Sequence, residues 1–97
     1  MDIVITRTNL SEEWYPFDES LHVAIFHQST EWKSMRNLKK IRDFYKVNST
    51  FRGDELIGLI NEMETIFPKL DKCQTELKKV IKLLQEDSVL IARFAGD

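Results

Sequence analysis

Hydrophobic and polar side chains alternate along two early stretches of the chain. Residues 2–8, DIVITRT, and residues 21–27, LHVAIFH, both place apolar side chains at every second position. A period of two indicates a β-strand, and the β-branched residues of the first stretch favour it further. Between them, residues 9–20 contain Pro16 and scattered turn-forming residues, which predict a loop. The first part of the chain therefore predicts two strands joined by a long loop.

Three later stretches carry apolar residues at intervals of three and four, the period of an amphipathic helix. They predict helices over residues 31–46, 54–67 and 72–86, with Lys69 as an alternative start for the third. Pro68 cannot continue a helix, so it separates the second helix from the third.

The last apolar run, VLIARF at residues 89–94, predicts a strand with apolar side chains on both faces. The element order is then β-β-α-α-α-β. Neither a sheet nor a helix can bury its apolar side alone, so the two layers must pack together. The sequence predicts one α+β domain over residues 1–97, in which about three helices cover a small three-stranded sheet. The last strand is expected between or beside the first two.

The composition narrows the class of protein. Hydrophobic residues make up 42% of the chain and charged residues 31%, which is typical of a globular domain. No apolar run approaches the ~20 residues that cross a bilayer, and the start of the chain lacks the pattern of a secretory signal. The single cysteine excludes an internal disulfide and fits a reducing compartment. We expect a cytoplasmic protein without a membrane partner.

Charge is unevenly distributed, although the net charge is only −2. Residues 1–29 carry one arginine against five acids, whereas residues 30–52 carry seven lysines or arginines against two acids. Residues 53–97 are acidic again, with nine acids against six basic residues. Segregated charge creates local fields that select partners, so the first two blocks contain the candidate functional residues.

No residue pattern indicates an enzyme or a metal site. In the predicted strand, His22 and His27 point to opposite faces and cannot share a metal ion. Cys73 falls on the apolar side of the third helix and is expected in the core. The phosphate-binding and nucleophile motifs of common enzymes do not occur. The sequence therefore predicts a protein without catalytic activity, metal, cofactor or small-molecule substrate.

Basic side chains on the first predicted helix form one candidate site. They are Lys33, Arg36, Lys39 and Lys40. Such a row could follow a phosphate backbone, and the chain would then be a small nucleic-acid-binding regulator. Against this alternative, every surface helix needs a solvated face, and the aromatic residues of this helix lie on its apolar side. The same cations could instead neutralise the acidic residues 11–20 within the fold.

The segment SEEWYPFDES, residues 11–20, is the main candidate for a binding site. It holds four carboxylates and three aromatic residues and no basic residue. Tryptophan and tyrosine are enriched at binding hot spots, and carboxylates steer association towards a basic partner. The predicted contact residues are Glu12, Glu13, Trp14, Tyr15, Phe17, Asp18 and Glu19. In the structural alternative, Trp14 and Phe17 seal the edge of the core instead.

A resemblance assigns a partner to this segment. The FRGDELIGLINEMETIF helix, the acidic and aromatic N-terminal third and the short α+β chain resemble the small immunity proteins of bacterial polymorphic-toxin and contact-dependent growth inhibition systems. The resemblance implies a protein that binds the toxin domain of its own system, one to one, and covers its active site or a nearby basic surface. It also implies that this toxin is a nuclease, as many toxins of these systems are.

A self-associating subunit with an exposed edge strand is a further alternative.

Overall fold

One antiparallel sheet organises the structure. The computed structural model describes residues 1–96 and confirms the α+β class, with four strands instead of three. The strands are β1 (Asp2–Arg7), β2 (Glu12–Pro16), β3 (Asn48–Arg52) and β4 (Val89–Ala95), and the helices are α1 (Glu19–Phe26), α2 (Asp54–Ile66) and α3 (Gln74–Leu84). Short 3₁₀ helices occupy Glu31–Ser34, Leu38–Ile41 and Phe67–Lys69. The strands lie in the order β2-β1-β4-β3, so the last strand lies beside the first.

The helices and the hydrophobic core lie on one face of the sheet. Ile3 and Ile5 of β1, Phe51 of β3 and Phe94 of β4 turn towards this core, and each is fully buried. They pack against the apolar sides of the helices, which close the core from that side only. The predictions for α2, α3 and β4 are confirmed to within two residues at each end. None of the helices within residues 1–96 is long and apolar enough to cross a membrane.

The predicted second strand is wrong, because residues 21–27 form most of helix α1. Asp18 starts this helix, since its carboxylate accepts a hydrogen bond from the backbone N–H of Ser20 at 2.7 Å. Leu21 and Ile25 lie four positions apart and are both fully buried, as one face of a helix requires. In a short apolar run, periods of two and of 3.6 fit equally well, so the cap and the tertiary packing decide.

The loop expected over residues 9–20 contains strand β2. This strand pairs antiparallel with β1 through a tight turn, in which the Leu10 N–H donates to the Arg7 carbonyl at 2.8 Å. Pro16 and the turn-forming residues indicated a loop, and the acidic residues of this segment also have low strand propensity. Pairing with β1 satisfies the backbone of β2 and outweighs that propensity.

The predicted helix over residues 31–46 is also wrong, since two 3₁₀ helices stand in its place and β3 follows them. Leu38 and Ile41 are fully buried, as the amphipathic pattern requires. However, the Glu62 carboxylate on α2 accepts hydrogen bonds from the backbone N–H groups of Asn37, at 3.0 Å, and Leu38, at 2.7 Å. In a continuous helix these N–H groups would bond to carbonyls four residues earlier, so Glu62 starts a new turn here.

Candidate interaction surface

The helices of residues 1–96 leave the second face of the sheet uncovered, and we refer to it as the open face. Side chains alternate along a strand, so each strand contributes every second residue to this face. These residues are Asp2, Val4 and Thr6 of β1, Glu12, Trp14 and Pro16 of β2, Asn48, Thr50 and Arg52 of β3, and Ile91, Arg93 and Ala95 of β4. An exposed tryptophan among apolar and charged side chains is a composition suited to a protein interface.

Trp14 is the most prominent side chain of the open face, and 57% of its surface is exposed. Its indole Nε1 donates a hydrogen bond to Glu12 Oε1 at 3.2 Å, and the Arg93 guanidinium lies 5.8 Å from the centre of its ring. Val4 is the cross-strand neighbour of both Trp14 and Arg93 and is only 2% exposed, although it lies outside the core. Trp14 is therefore accessible to a partner and yet positioned by its neighbours.

Strand alternation turns Glu13 and Tyr15 away from the open face. Glu13 Oε1 accepts hydrogen bonds from Arg7 Nη2 at 2.8 Å and from the Tyr15 hydroxyl at 2.6 Å. Arg7 also donates to Glu86 Oε1 at 2.6 Å, so it joins the first hairpin to the turn before β4. The Arg7 guanidinium, helped by the Tyr15 hydroxyl, holds the pKa of Glu13 below its ordinary value. Glu13 is thus neutralised within the chain.

The rest of the predicted segment enters or starts helix α1. Phe17 is 2% exposed and packs edge-on against Phe94, so it belongs to the core. The core-sealing alternative therefore holds for Phe17 and not for Trp14. Asp18 caps α1, and Glu19 in its first turn accepts a hydrogen bond from the Tyr45 hydroxyl at 3.2 Å. Of the seven predicted residues, the structure brings Glu12 and Trp14 together on the open face and leaves Asp18 and Glu19 exposed at the start of α1.

The predicted basic residues do not form one helical face. They lie in the first two 3₁₀ helices and in the link between them: Lys33, Arg36, Lys39 and Lys40. Lys40 Nζ is 2.9 Å from Glu55 Oε2 and 5.7 Å from the centre of the Phe51 ring. This bond lowers the pKa of Glu55, and the nearby charges of Arg36 and Arg52 add to the shift. Lys40 therefore pairs with Glu55 of α2, and not with the acidic segment.

Two arginines of the open face were not predicted as functional residues. In the predicted strand over residues 89–94, Arg93 lies on the opposite face from its neighbours Ala92 and Phe94, which are buried. The alternation of the sequence could therefore have placed Arg93 on the open face. Arg52 had no such signal, because β3 was not predicted. By strand, the charged residues of the open face are divided at its midline: Asp2 and Glu12 lie on β1 and β2, and Arg93 and Arg52 lie on β4 and β3. The Arg93 side chain extends from β4 towards Trp14 on β2.

A groove of about 410 Å³ lies on the helical side of the molecule. Its lining consists of His22, Phe26, His27, Trp32, Arg42, Asp43, Phe44 and Tyr45. His22 is 2% exposed, and its Nε2 donates to the Ile41 carbonyl at 2.9 Å; burial lowers its pKa. Helix α1 brings the rings of His22 and His27 to 6.3 Å, which corrects their predicted placement on opposite faces. Within residues 1–96, no three His, Cys, Asp or Glu side chains form a group that could hold a metal ion.

Cys73 precedes helix α3 as its N-cap residue instead of lying on the apolar side of that helix. Its side chain is half-buried and packs against the core, and burial raises the pKa of its thiol. A raised pKa keeps the thiol protonated at neutral pH, so the site lacks the thiolate of a reactive cysteine.

Comparisons of the chain with protein-family models, with curated proteins and with solved structures found no match. Its function is therefore inferred from the chemistry of the open face and of the acidic start of α1.

Proposed function

We propose that this protein is an immunity protein of a polymorphic-toxin or contact-dependent growth inhibition system. It binds the toxin domain of its own system in the cytoplasm, one to one, and neutralises it by covering the active site or a nearby basic surface. The observation that supports this proposal is the position of Trp14, which is 57% exposed on an uncovered sheet face and held there by Glu12 and Arg93.

Trp14 has the properties of an interface anchor. Tryptophan is enriched among the residues that dominate binding energy, because its large ring buries much surface with few rotatable bonds. The hydrogen bond to Glu12 and the contact with Arg93 already restrict the ring in the free protein. A partner therefore spends less entropy on ordering this side chain.

The exposed carboxylates indicate a basic partner. Glu12, Asp18 and Glu19 reach solvent along the path from β2 into α1, whereas Glu13 is neutralised by Arg7. Protein surfaces that hold a phosphate backbone carry lysine and arginine, and an acidic inhibitor can occupy such a surface in place of the nucleic acid. The toxin is accordingly proposed to be a nuclease.

The proposal predicts that the reading frame directly upstream of this chain encodes the toxin, and the test uses the C-terminal domain of that protein, purified as a catalytically inactive variant. Trp14→Ala is expected to weaken binding at least about 30-fold, the effect of losing a hot-spot residue. Ile57→Ala is the matched control, because Ile57 on α2 is also 57% exposed and lies outside the open face. Thermal unfolding of both variants separates loss of binding from loss of fold. Equal toxin affinity for Trp14→Ala and the wild type would refute the anchor.

Nucleic-acid binding remains the second hypothesis, and it is now weaker. The helix on which it depended is replaced by two 3₁₀ helices, and Lys40 is paired with Glu55. Anisotropy titrations with labelled RNA and duplex DNA at low salt compare the two hypotheses. The immunity proposal expects no binding, and binding that falls with Lys33→Gln and Lys39→Gln would favour the regulator.

A further inference from the structure

We propose that the open face also binds a second copy of this chain, in a two-fold dimer whose axis runs parallel to the strands. The dimer forms in the absence of a toxin and does not depend on the proposed function. The distribution of charge across the open face and the register of the four strands favour it.

The strand register places charged residues in opposite halves of the face. One cross-strand row runs from Glu12 on β2 through Thr6 and Ile91 to Arg52 on β3. The acidic end of this row lies on one edge of the sheet and the basic end on the other. Asp2 on β1 and Arg93 on β4 follow the same division by strand, although the Arg93 guanidinium reaches to 5.8 Å from the Trp14 ring on β2, so the division depends mainly on Glu12 and Arg52.

A two-fold axis parallel to the strands makes this pattern self-complementary. Such an axis lies between two facing sheets and places β2 of one copy over β3 of the other, and β1 over β4. Each Glu12 then opposes Arg52 of the second copy. Each Arg93 lies one row away from Asp2 of the second copy. Sheets that pack face to face align in this way, to within about 30°.

The other two-fold axis that keeps the strands of the two copies aligned gives a worse fit. An axis across the strands would place each strand over the same strand of the second copy. The middle cross-strand row would then lie over itself; it consists of Trp14, Val4, Arg93 and Thr50. Arg93 would then oppose Arg93, and like charges placed opposite each other are destabilising. The charge pattern therefore selects one of the two arrangements.

The apolar part of the face supplies the centre of the contact. Trp14 on β2 and the half-buried Ile91 on β4 contribute this apolar surface, since Val4 of β1 is already buried, and the exposed ring of Trp14 would be covered by β3 of the second copy. Four strands and about five residues per strand make a face of roughly 19 by 17 Å. The area of this face, the product of the two lengths, is smaller than the roughly 800 Å² that each partner buries in a standard interface. The dimer is accordingly expected to be weak and to depend on concentration.

A toxin that uses Trp14 competes with the second copy, so the dimer and the toxin complex exclude each other. Adding the toxin domain is then expected to convert dimers into one-to-one complexes. The two proposals fail separately, because self-association is measured on this chain alone and toxin binding is measured at concentrations where the chain is monomeric.

Sedimentation equilibrium over about 10 μM to 1 mM tests the dimer with two charge-reversal variants. Glu12→Arg and Arg52→Glu each convert both ion pairs into repulsions and are expected to weaken self-association at least about tenfold. An equimolar mixture of the two variants restores both pairs and is expected to associate like the wild type. Lys78→Glu is the control, since Lys78 is exposed on α3 and outside the open face.

Thermal unfolding of each variant establishes that it is folded before the mixture is interpreted. A wild type that stays monomeric throughout the concentration range overturns the dimer. Dimers that withstand both charge reversals, or a mixture that stays monomeric, overturn the arrangement proposed for it.

Discussion

The Glu62 carboxylate on α2 holds Asn37 by both its backbone and its side chain. Glu62 accepts from the Asn37 backbone N–H at 3.0 Å and from Asn37 Nδ2 at 2.8 Å. Asn37 is 8% exposed, and its side chain lies against Gly58. Gly58 is one turn before Glu62 on α2. One helix of the core thus determines the course of a segment that lies far from it in sequence.

The contact between Asn37 and Gly58 makes a simple helix substitution unfavourable. Replacing glycine by alanine inside a helix usually stabilises it by about 1 kcal/mol. In Gly58→Ala, however, the new Cβ would lie 2.6 Å from Asn37 Nδ2, which Glu62 holds in place. We expect Gly58→Ala to destabilise the protein by about 1–3 kcal/mol in urea unfolding.

The double variant Asn37→Gly with Gly58→Ala isolates this clash, since it removes the obstructing side chain. We expect Gly58→Ala to be harmless or stabilising when introduced into Asn37→Gly. An equal loss of stability in both backgrounds would show that the clash is not the cause.

The turn between β1 and β2 contains a strained residue. Leu10 has a φ of 69°, in the left-handed region that asparagine and glycine tolerate better, and it is 76% exposed. Leu10→Asn loses little packing and relieves the strain, so we expect the free energy of unfolding to rise by about 0.5–1 kcal/mol. Leu10→Ala is the control, because alanine has the same backbone cost. A gain of the same size for alanine would assign the effect to the loss of an exposed apolar side chain.

The buried His22 makes stability depend on pH. Burial lowers its pKa in the folded protein, while His27 and the amino terminus add to the shift and the Ile41 carbonyl and Asp43 oppose it. Below about pH 6.5 the unfolded chain therefore binds a proton that the folded protein does not. Above that pH, the contribution of His22 to the free energy of unfolding is expected to be constant. Below it, the free energy of unfolding is expected to fall as the pH decreases towards the folded-state pKa of His22.

Urea unfolding between about pH 7.5 and 5 measures this dependence through the slope of stability against pH. His22→Gln is expected to flatten the slope, and His27→Gln, which removes only a smaller contribution to the His22 shift and leaves its burial in place, is expected to change the slope less. Equal slopes in the wild type and in His22→Gln would contradict the assignment.

The exposed acids are expected to steer the toxin, and Glu13 is not. Glu12→Gln, Asp18→Asn and Glu19→Gln together remove three charges while asparagine keeps the cap of α1. The association rate should fall several-fold, up to about tenfold, at low salt, and depend less on ionic strength. Stopped-flow mixing with the toxin domain measures both quantities. Glu13→Gln is expected to leave the rate unchanged and to lower stability, since it breaks the pair with Arg7; the reverse result would place Glu13 at the interface.

The sequence predicted that all seven candidate residues of the acidic and aromatic segment lie on the surface, and this is correct for only some of them. Glu12 and Trp14 reach the open face and Phe17 does not, because the segment is a strand that leads into a helix. A loop would have left all seven side chains free, whereas a strand sends alternate residues to opposite faces. The arginines that share the open face with Trp14 could not be assigned to it, since their position depends on strands that are distant in sequence.

By itself, the sequence determined β1, α2, α3 and β4. Each has a period long or regular enough to select one conformation, and Pro68 separates the two helices. The tertiary structure decided the remaining elements. Residues 21–27 fit a strand and a helix equally, β2 is a strand only because β1 pairs with it, and Glu62 stops a helix over residues 31–46. Local propensities differ by only about 1 kcal/mol per residue, so one long-range hydrogen bond or strand pairing can reverse them.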